Sequence, residues 1–151
     1  MIDLQKASKI AVAAHSTQKD KAGASYILHP LRVMLSLESE DERIVGVLHD
    51  VLEDGQGLWP GKVREEIEPR LLASLELVTK TKDEEKSGDY MAFIRRLAHD
   101  PIARRVKLAD LRDNLNVLRL ETVSEKDRDR LNKYLVAFHF LSGIAGGDWR
   151  G

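Results

Sequence analysis

Residues 39–54 have the sequence SEDERIVGVLHDVLED, and this stretch decides how the chain folds. Ser39 and Glu42 form an S-x-x-E capping box, which predicts that a helix begins here. The apolar residues that follow, as far as Leu52, spread around much of the helix circumference, and Gly55-Gln56-Gly57 ends the helix. A helix that is apolar on most of its sides is buried. The sequence therefore predicts a central helix around which the others pack.

Helical spacing continues on both sides of this stretch. Apolar residues recur at steps of three and four, and no segment alternates with a period of two over a length that needs a β-sheet. Pro30, Pro60, Pro69 and Pro101 each favour the first turn of a helix, and Asp100 adds a side-chain cap for the last of these. The predicted helices span residues 2–18, 30–37, 40–52, 63–67, 71–78, 90–97, 101–120 and 124–141. We therefore expect an all-α bundle of about eight helices.

Three polar or glycine-rich segments separate or end these helices. Residues 19–25, KDKAGAS, predict a loop in which Gly23 is free to take a positive φ. Residues 79–89, TKTKDEEKSGD, are the most polar of the chain and predict a mobile loop. Residues 143–151 are rich in glycine, and we expect a frayed tail there. No domain boundary stands out, so residues 1–151 are predicted to form a single domain.

The composition is typical of a globular domain and excludes several functions. Hydrophobic residues make up 42% and charged residues 32% of the 151 positions, which excludes a disordered chain. The formal charge of −1 lacks the basic excess of a nucleic-acid-binding protein. The chain has no cysteine, so any metal must be held by nitrogen and oxygen ligands. Without a membrane-spanning apolar run or a signal peptide, we expect no membrane partner and a cytoplasmic protein.

Two pairs of ionisable residues interrupt the apolar sequence of the predicted central helix. These pairs are His49-Asp50 and Glu53-Asp54. A spacing of four puts His49 and Glu53 on one helix face, and Asp50 and Asp54 on the next. A buried carboxylate costs several kcal/mol unless it is paired or binds a metal, so a divalent cation would compensate three carboxylates near a histidine. The alternative is that these residues mark the solvated end of the helix.

A second set of polar residues lies within the helix predicted over 101–120. Lys107, Asp110 and Asn114 follow one another at spacings of three and four, beside an apolar row of leucines. This spacing puts a carboxylate and an amide next to the core. Taken alone, Lys107 and Asp110 are more often a surface ion pair.

A third segment contributes His29, which directly precedes a proline. A histidine in this position usually caps a helix or packs in the core. Together with His49, Asp50 and Asp110, however, it completes a set of two imidazoles and two carboxylates. Such a set suits Mn²⁺, Fe²⁺, Zn²⁺ or Mg²⁺.

Three motifs, in chain order, resemble those of the HD-domain metal-dependent phosphohydrolases of the RelA/SpoT hydrolase-domain type. Residues 14–33, AHSTQKDKAGASYILHPLRV, resemble the family's opening A-H-x-G-Q-x-R-K-x-G-x-P-Y-x-x-H-P-L-x-V. Residues 47–54, VLHDVLED, are similar to L-L-H-D-V-x-E-D, and residues 106–114, VKLADLRDN, are similar to V-K-L-A-D-R-x-x-N. The resemblance extends to the small, single-domain alarmone hydrolases of this family.

The resemblance implies an all-α HD-domain fold and hydrolysis of the 3′-pyrophosphate of guanosine alarmones, which converts ppGpp or pppGpp to GDP or GTP and pyrophosphate. It also implies that one Mn²⁺ ion is held by His29, His49, Asp50 and Asp110. Metal coordination lowers the pKa of a bound water and polarises a phosphoryl oxygen. Glu53 and Asp54, one turn beyond the ligands, would orient that water or accept its proton.

The same resemblance implies a nucleotide-binding role for four further residues. Lys21 and Lys107 would offset phosphate charge, and Asn114 and Tyr134 would contact the nucleoside. An ordinary surface lysine is the alternative for Lys21. The remaining histidines are assigned to packing or to the surface: His15, His99 and His139.

The chain departs from the family pattern around the substrate. Asp20 stands where the family has an arginine that stacks on the guanine base, and an aspartate cannot supply a planar cation. Thr17, Ser25 and residues 111–112 also differ, whereas the metal set is retained. Two alternatives therefore stay open: a phosphohydrolase of another nucleotide, such as an adenine alarmone or a nicotinamide dinucleotide phosphate, and a module that senses a nucleotide without cleaving it. Products from a nucleotide panel test the first, and a Glu53→Gln variant tests the second.

Overall fold

Ten α-helices and one 3₁₀ turn form the computed structural model, which describes residues 1–145. The helices are α1 (Leu4–Ala14), α2 (Leu28–Leu35), α3 (Glu40–Leu48), α4 (Val51–Asp54), α5 (Trp59–Glu66), α6 (Pro69–Leu77), α7 (Lys82–Ser87), α8 (Tyr90–Leu97), α9 (Pro101–Asn114) and α10 (Glu125–Ala145). The 3₁₀ turn spans Val117–Arg119. Within these residues the β-type pairing is a single bridge between Lys19 and Ser25. The predicted all-α fold is confirmed.

Helix α3 lies at the centre of the bundle and packs against α1, α2, α6 and α9. Its residues 44–48 are all buried, as expected for a helix that is apolar on most sides. Gly46 permits this close packing, because a Cβ atom at this position would lie 2.5 Å from Leu37 Cδ1. The prediction of a buried central helix is therefore confirmed as far as Leu48.

The capping box predicted at the start of α3 is confirmed. Ser39 Oγ accepts a hydrogen bond from the Glu42 backbone N–H, and Glu42 Oε2 accepts one from the Ser39 N–H, both at 3.2 Å. Glu42 Oε1 also accepts a hydrogen bond from Arg105 Nη1 at 3.0 Å. The buried Glu42 carboxylate therefore stabilises the first turn of α3 and links α3 to α9.

Replacing Glu42 with alanine is expected to lower the free energy of unfolding by about 1–2 kcal/mol, because the carboxylate's bonds with the Ser39 N–H and with Arg105 are both lost, whereas the Ser39 hydroxyl still accepts from the N–H of residue 42. Denaturant unfolding measures the change. Glu40→Ala is the matched control, since Glu40 is exposed in the same helical turn and its loss should change the stability by less than about 0.5 kcal/mol. Equal stability of the two variants would contradict a stabilising role for the Glu42 carboxylate.

Helices α1, α2 and α9 have bounds that differ from the prediction. Helix α1 ends at Ala14, and α2 begins at Leu28, so Pro30 lies within the first turn rather than at the first residue. Helix α9 ends at Asn114 instead of continuing to residue 120. Asn116 Oδ1 accepts a hydrogen bond from the Leu118 N–H, which stabilises the 3₁₀ turn in place of further α-helix.

Helix α7 lies within the polar stretch that predicts a loop, so that prediction is wrong for these residues. Thr81 and Glu84 form a second capping box, and Gly88 ends the helix with φ +67°. Arg96 on α8 binds Glu84, with Nε 2.9 Å from Oε2. Periodicity could not reveal α7, because this exposed six-residue helix has no apolar stripe.

Helix α10 continues to Ala145, so residues 143–145 belong to its last turn rather than to a frayed tail. Residues 146–151, the rest of the predicted tail, lie outside the described residues. None of the helices within 1–145 combines the length and the apolar character that crossing a membrane requires.

Candidate active site and metal centre

Three parts of the bundle bring His29, His49, Asp50 and Asp110 together. His29 is on α2, His49 and Asp50 lie between α3 and α4, and Asp110 is on α9. His29 Nε2 lies 2.9 Å from Asp110 Oδ1 and 3.3 Å from His49 Nε2. His49 Nε2 lies 3.0 Å from Asp50 Oδ2 and 3.4 Å from Asp110 Oδ1. His29, His49 and Asp110 thus converge on one point with Asp50 beside His49, and both histidines and Asp110 are buried.

The helix is broken at His49 and Asp50, where the sequence predicts a continuous helix to Leu52. His49 ends α3, and Asp50, with φ −101° and ψ −3°, precedes α4. Side chains at neighbouring positions of a regular helix do not face each other. The break allows the close approach of His49 to Asp50, whereas Asp50 and Asp54 keep helical spacing, since the Asp54 N–H donates a hydrogen bond to the Asp50 carbonyl oxygen at 2.9 Å.

A backbone hydrogen bond sets the orientation of His49. Its Nδ1 lies 2.7 Å from the Gly46 carbonyl oxygen, which can only accept a hydrogen bond. Nδ1 therefore carries the proton and Nε2 faces the other three side chains. Such a bond from the second ring nitrogen is typical of histidines that ligate metals.

Asp113 orients His29 in a comparable way. Asp113 Oδ2 lies 2.6 Å from His29 Nδ1, and Oδ1 accepts hydrogen bonds from Arg32 Nε at 2.7 Å and from Arg119 Nη1 at 3.2 Å. Burial alone would raise the pKa of Asp113, but the hydrogen bonds with His29 and Arg32 hold it well below its usual range. Asp113 is therefore a fixed carboxylate behind His29, a role that the sequence analysis missed.

An Asp113→Asn variant is expected to fold but to lose roughly 10–100-fold in metal affinity and in any metal-dependent activity, because such outer partners set ligand orientation. Titration of the metal-stripped protein with Mn²⁺ measures the affinity. Asp129→Asn is the control, since the Asp129 side chain is 75% exposed on α10. Equal affinities of the two variants would count against an orienting role for Asp113.

The electrostatic field of the cluster fits a divalent cation. Burial alone would lower the pKa of His49, but Asp50 and Asp110 raise it well above its usual range. Burial also lowers the pKa of His29, but hydrogen bonds with Asp110 and Asp113 raise it above its usual value. Both imidazoles therefore lie in a negative field. Ligand atoms of His29, His49 and Asp110 lie within 4.8 Å of one another, and nitrogen and carboxylate donors are those that divalent transition metals accept.

Glu53 and Asp54 form a second acidic group beside the first. Single carboxylate oxygens of Asp50, Glu53 and Asp54 lie within 4.8 Å of one another. Burial and the carboxylates of Asp54 and Asp50 raise the pKa of Glu53 to about 7. Burial and Asp50 also raise the pKa of Asp54. A carboxylate with such a proton affinity can accept a proton near neutral pH.

A cavity of about 460 Å³ opens over the cluster, and all ten predicted site residues line it. These residues are Lys21, His29, His49, Asp50, Glu53, Asp54, Lys107, Asp110, Asn114 and Tyr134. The cavity has the size range of small-molecule sites. Its wall combines an acidic centre with cationic side chains, which is the arrangement that a metal-assisted reaction of a phosphorylated ligand requires.

Lys107 and Asn114 both contact Asp110. Lys107 Nζ lies 2.7 Å from Asp110 Oδ2, and Asn114 Nδ2 donates a hydrogen bond to Asp110 Oδ1 at 2.9 Å. Burial alone would lower the pKa of Lys107, but Asp110 raises it above its usual range. Both residues therefore support a candidate metal ligand, whereas their predicted contacts with a nucleotide stay predictions.

Tyr26 and Gln18 join the cluster to the N-terminal part of the chain, and sequence reasoning gave neither a role in the site. The Tyr26 hydroxyl donates a hydrogen bond to Asp50. Gln18 Nε2 donates one to the Asp54 carbonyl oxygen at 2.6 Å, and Gln18 Oε1 lies 2.8 Å from His15 Nδ1. His15 is buried, as its predicted packing role requires. The sequence did carry a signal for this part of the site, because His15, Gln18 and Tyr26 all lie in the first motif.

The loop before α2 carries Lys21, and Asp20 shapes it. Asp20 Oδ1 accepts hydrogen bonds from the N–H groups of Ala22 and Ala24, both at 2.9 Å. Gly23 takes φ +85°, as its predicted freedom allows. The Asp20 carboxylate is therefore hydrogen-bonded to the backbone of its own loop.

The fold and the site together define an α-helical domain with a buried histidine and aspartate cluster under an open cavity. Two bacterial proteins named guanosine-3′,5′-bis(diphosphate) 3′-pyrophosphohydrolase are relatives of this chain. The Aquifex aeolicus protein is 33% identical over 124 residues, which cover 77% of this chain and 18% of that protein. The Borreliella burgdorferi protein is 29% identical over 144 residues, which cover 86% of this chain and 21% of that protein. The chain thus spans about a fifth of the length of these relatives.

A solved structure shares the fold. It is that of a metazoan ortholog of SpoT, described as hydrolysing ppGpp and playing a role in starvation responses. The TM-score is 0.70 at 22% identity, over 95% of each chain. No family model matches the sequence. The relatives and the shared fold confirm the predicted resemblance to the HD-type hydrolase domains of RelA/SpoT proteins.

Proposed function

We propose that this chain hydrolyses the 3′-pyrophosphate of guanosine alarmones, so that ppGpp and water give GDP and pyrophosphate. The observation that carries the proposal is the convergence of all ten predicted site residues on one cavity. The names of the bacterial relatives support the choice of substrate.

The candidate cofactor is one divalent metal ion, with Mn²⁺ as the specific proposal. Its ligands would be the side chains of His29, His49, Asp50 and Asp110, since two imidazoles and two carboxylates suit this ion. When bound, such an ion lowers the pKa of water and polarises a phosphoryl oxygen.

The chain's own residues supply proton transfer and charge compensation. The Glu53 carboxylate would accept the proton of the attacking water, with Asp54 beside it as an orienting group. Lys21 and Lys107 would offset the charge of the phosphates, and Asn114 and Tyr134 would contact the nucleoside. The acidic side of the cavity would thus hold the reacting group, and the cationic side chains would hold the substrate.

A second candidate is hydrolysis of another nucleotide, and Asp20 favours it. An arginine at this position would offer a planar cation to a guanine base, whereas the Asp20 carboxylate binds N–H groups of its own loop. The identity of the base is therefore the feature of the proposed substrate for which the residues of this chain give the least support.

Incubation of metal-stripped protein with ppGpp, with and without Mn²⁺, tests the proposal through release of GDP and pyrophosphate. We expect release only with the metal. Parallel assays with Mg²⁺, Zn²⁺ and Fe²⁺ test the choice of ion, and a panel of other phosphorylated nucleotides tests the base. Metal binding without any ppGpp cleavage would overturn the alarmone proposal and favour the second candidate.

A further inference from the structure

Three lysine ammonium groups surround the ring of Tyr90 at the candidate active site. The Nζ atoms of Lys133, Lys80 and Lys107 lie 4.8, 5.4 and 5.7 Å from the ring centre. Lys133 is on α10, Lys80 precedes α7 and Lys107 is on α9. Separate parts of the chain therefore bring three positive charges to one aromatic side chain.

The charge of this group is only partly compensated. Lys107 is paired with Asp110, whereas neither Lys80 nor Lys133 has a carboxylate oxygen within 4.0 Å among the described residues. Lys133 also lies close enough to other cations that, besides burial, Lys80 and Lys107 lower its pKa. Lys80 and Lys133 are therefore positive charges near one ring without a direct ion-pair partner among the described residues, and an acidic side chain within electrostatic reach of Lys80 is Glu53, whose pKa the Lys80 ammonium group lowers.

Attraction to the aromatic ring does not account for this arrangement by itself. A cation over a ring is stabilised by the ring's negative face, but the ring carries no net charge and cannot neutralise two ammonium groups. Like charges near one ring repel each other, and an anion that bound both ammonium groups would offset this repulsion.

The position of the group indicates which anion it would bind. Lys80, Lys107 and Tyr90 line the cavity, and Lys133 packs against Tyr90 and Tyr134, two rings of the cavity wall. Lys107 connects the group to the candidate metal centre through its 2.7 Å contact with Asp110. An anion at Lys80 and Lys133 would therefore belong to the same ligand as the group at the metal centre.

We propose that Lys80 and Lys133 form a subsite for the phosphate groups of the substrate that are not cleaved, which in an alarmone are the 5′-phosphates. The inference rests on the proposed function, because it assumes a nucleotide with phosphates at two positions. Neither residue is a candidate metal ligand or the proposed general base, so both would contribute to substrate binding.

Binding of GDP to the metal-stripped protein, measured by calorimetry, tests this subsite without any hydrolysis. GDP carries the 5′-diphosphate and lacks the 3′ group. The Lys80→Gln and Lys133→Gln variants are each expected to weaken GDP binding roughly tenfold, as for the loss of a charged hydrogen bond. Lys80→Arg, which keeps the charge, should retain most of the affinity. The KM for ppGpp should rise in both glutamine variants, with kcat unchanged in Lys133→Gln; Lys80→Gln is judged by GDP affinity and KM alone, because the Lys80 ammonium group lowers the pKa of Glu53.

Lys62→Gln is the matched control, because Lys62 Nζ also lies near a ring, 5.4 Å from the centre of Trp59, but Trp59, unlike Tyr90 and Tyr134, does not line the cavity. Wild-type GDP affinity in the Lys80→Gln/Lys133→Gln double variant would overturn the subsite, as would a wild-type protein that does not bind GDP. Loss of thermal stability with unchanged GDP affinity would likewise overturn it, since the lysines would then serve packing alone. Weaker GDP binding in a protein that does not cleave ppGpp would support the subsite and reject the proposed hydrolysis.

Discussion

The Asp110→Asn variant is expected to lose both metal binding and hydrolysis. Asp110 Oδ1 lies 2.9 Å from His29 Nε2 and 3.4 Å from His49 Nε2, so its carboxylate occupies the middle of the candidate metal centre. Removal of an outer partner of a metal ligand costs roughly 10–100-fold, and loss of a ligand itself should cost more. The same change removes the charge beside buried Lys107, which we expect to lower stability by up to about 3–5 kcal/mol.

Metal content, ppGpp cleavage and circular dichroism, measured on the same preparation, separate these effects. Asp100→Asn is the matched control: Asp100 caps the same helix, α9, and asparagine caps a helix as well as aspartate does. If Asp110→Asn does not fold, Asp50→Asn takes its place, since within residues 1–145 Asp50 has no lysine partner within 4.0 Å. Normal metal content and hydrolysis in a folded variant would reject the assignment of the centre.

The second large effect is expected for Glu53→Gln. Glutamine preserves the shape of the side chain but cannot accept a proton, so kcat should fall by roughly 10²–10⁴ if Glu53 is the general base. Because Glu53 is not one of the four candidate ligands, metal content and substrate affinity should stay within about twofold of wild type. Single-turnover kinetics and Mn²⁺ titration measure these quantities.

Glu65→Gln is the control for this substitution, because Glu65 is exposed on α5 and does not line the cavity. The variant also distinguishes an enzyme from a nucleotide-sensing module. A sensor would bind the nucleotide equally well before and after the change and would show no turnover in either form. Full turnover in Glu53→Gln would remove Glu53 from the catalytic step.

Local signals in the sequence predicted much of the fold. The capping box at Ser39 and the Asp100-Pro101 pair mark real helix starts, because a cap depends on residues only three positions apart. The break at His49 and Asp50 carries no such signal, since neither residue opposes a helix strongly. Tertiary packing around the cluster therefore decides the local conformation there. Helix α7 had a signal in Thr81 and Glu84, which apolar periodicity alone could not detect.

The site was predictable where its residues lie within motifs. His29, His49-Asp50 and Asp110 come from three separated motifs, and the structure brings them together. Asp113 lies inside the third motif, but its partner His29 is 84 positions away, and no spacing rule connects them. Lys80 was missed for the same reason: its neighbour, the Tyr90 ring, is reached only through the folding of α7 and α8.

The centre also joins distant parts of the chain, since His29 and Asp110 are 81 residues apart. Closing a chain loop of this length costs entropy before any contact within it is gained. The cluster is therefore complete only after α2, α3 and α9 have docked. A cation bound there would stabilise contacts formed late, which slows unfolding and leaves the refolding rate almost unchanged. The lifetime of the folded chain, rather than the speed at which it folds, would then follow the concentration of the metal.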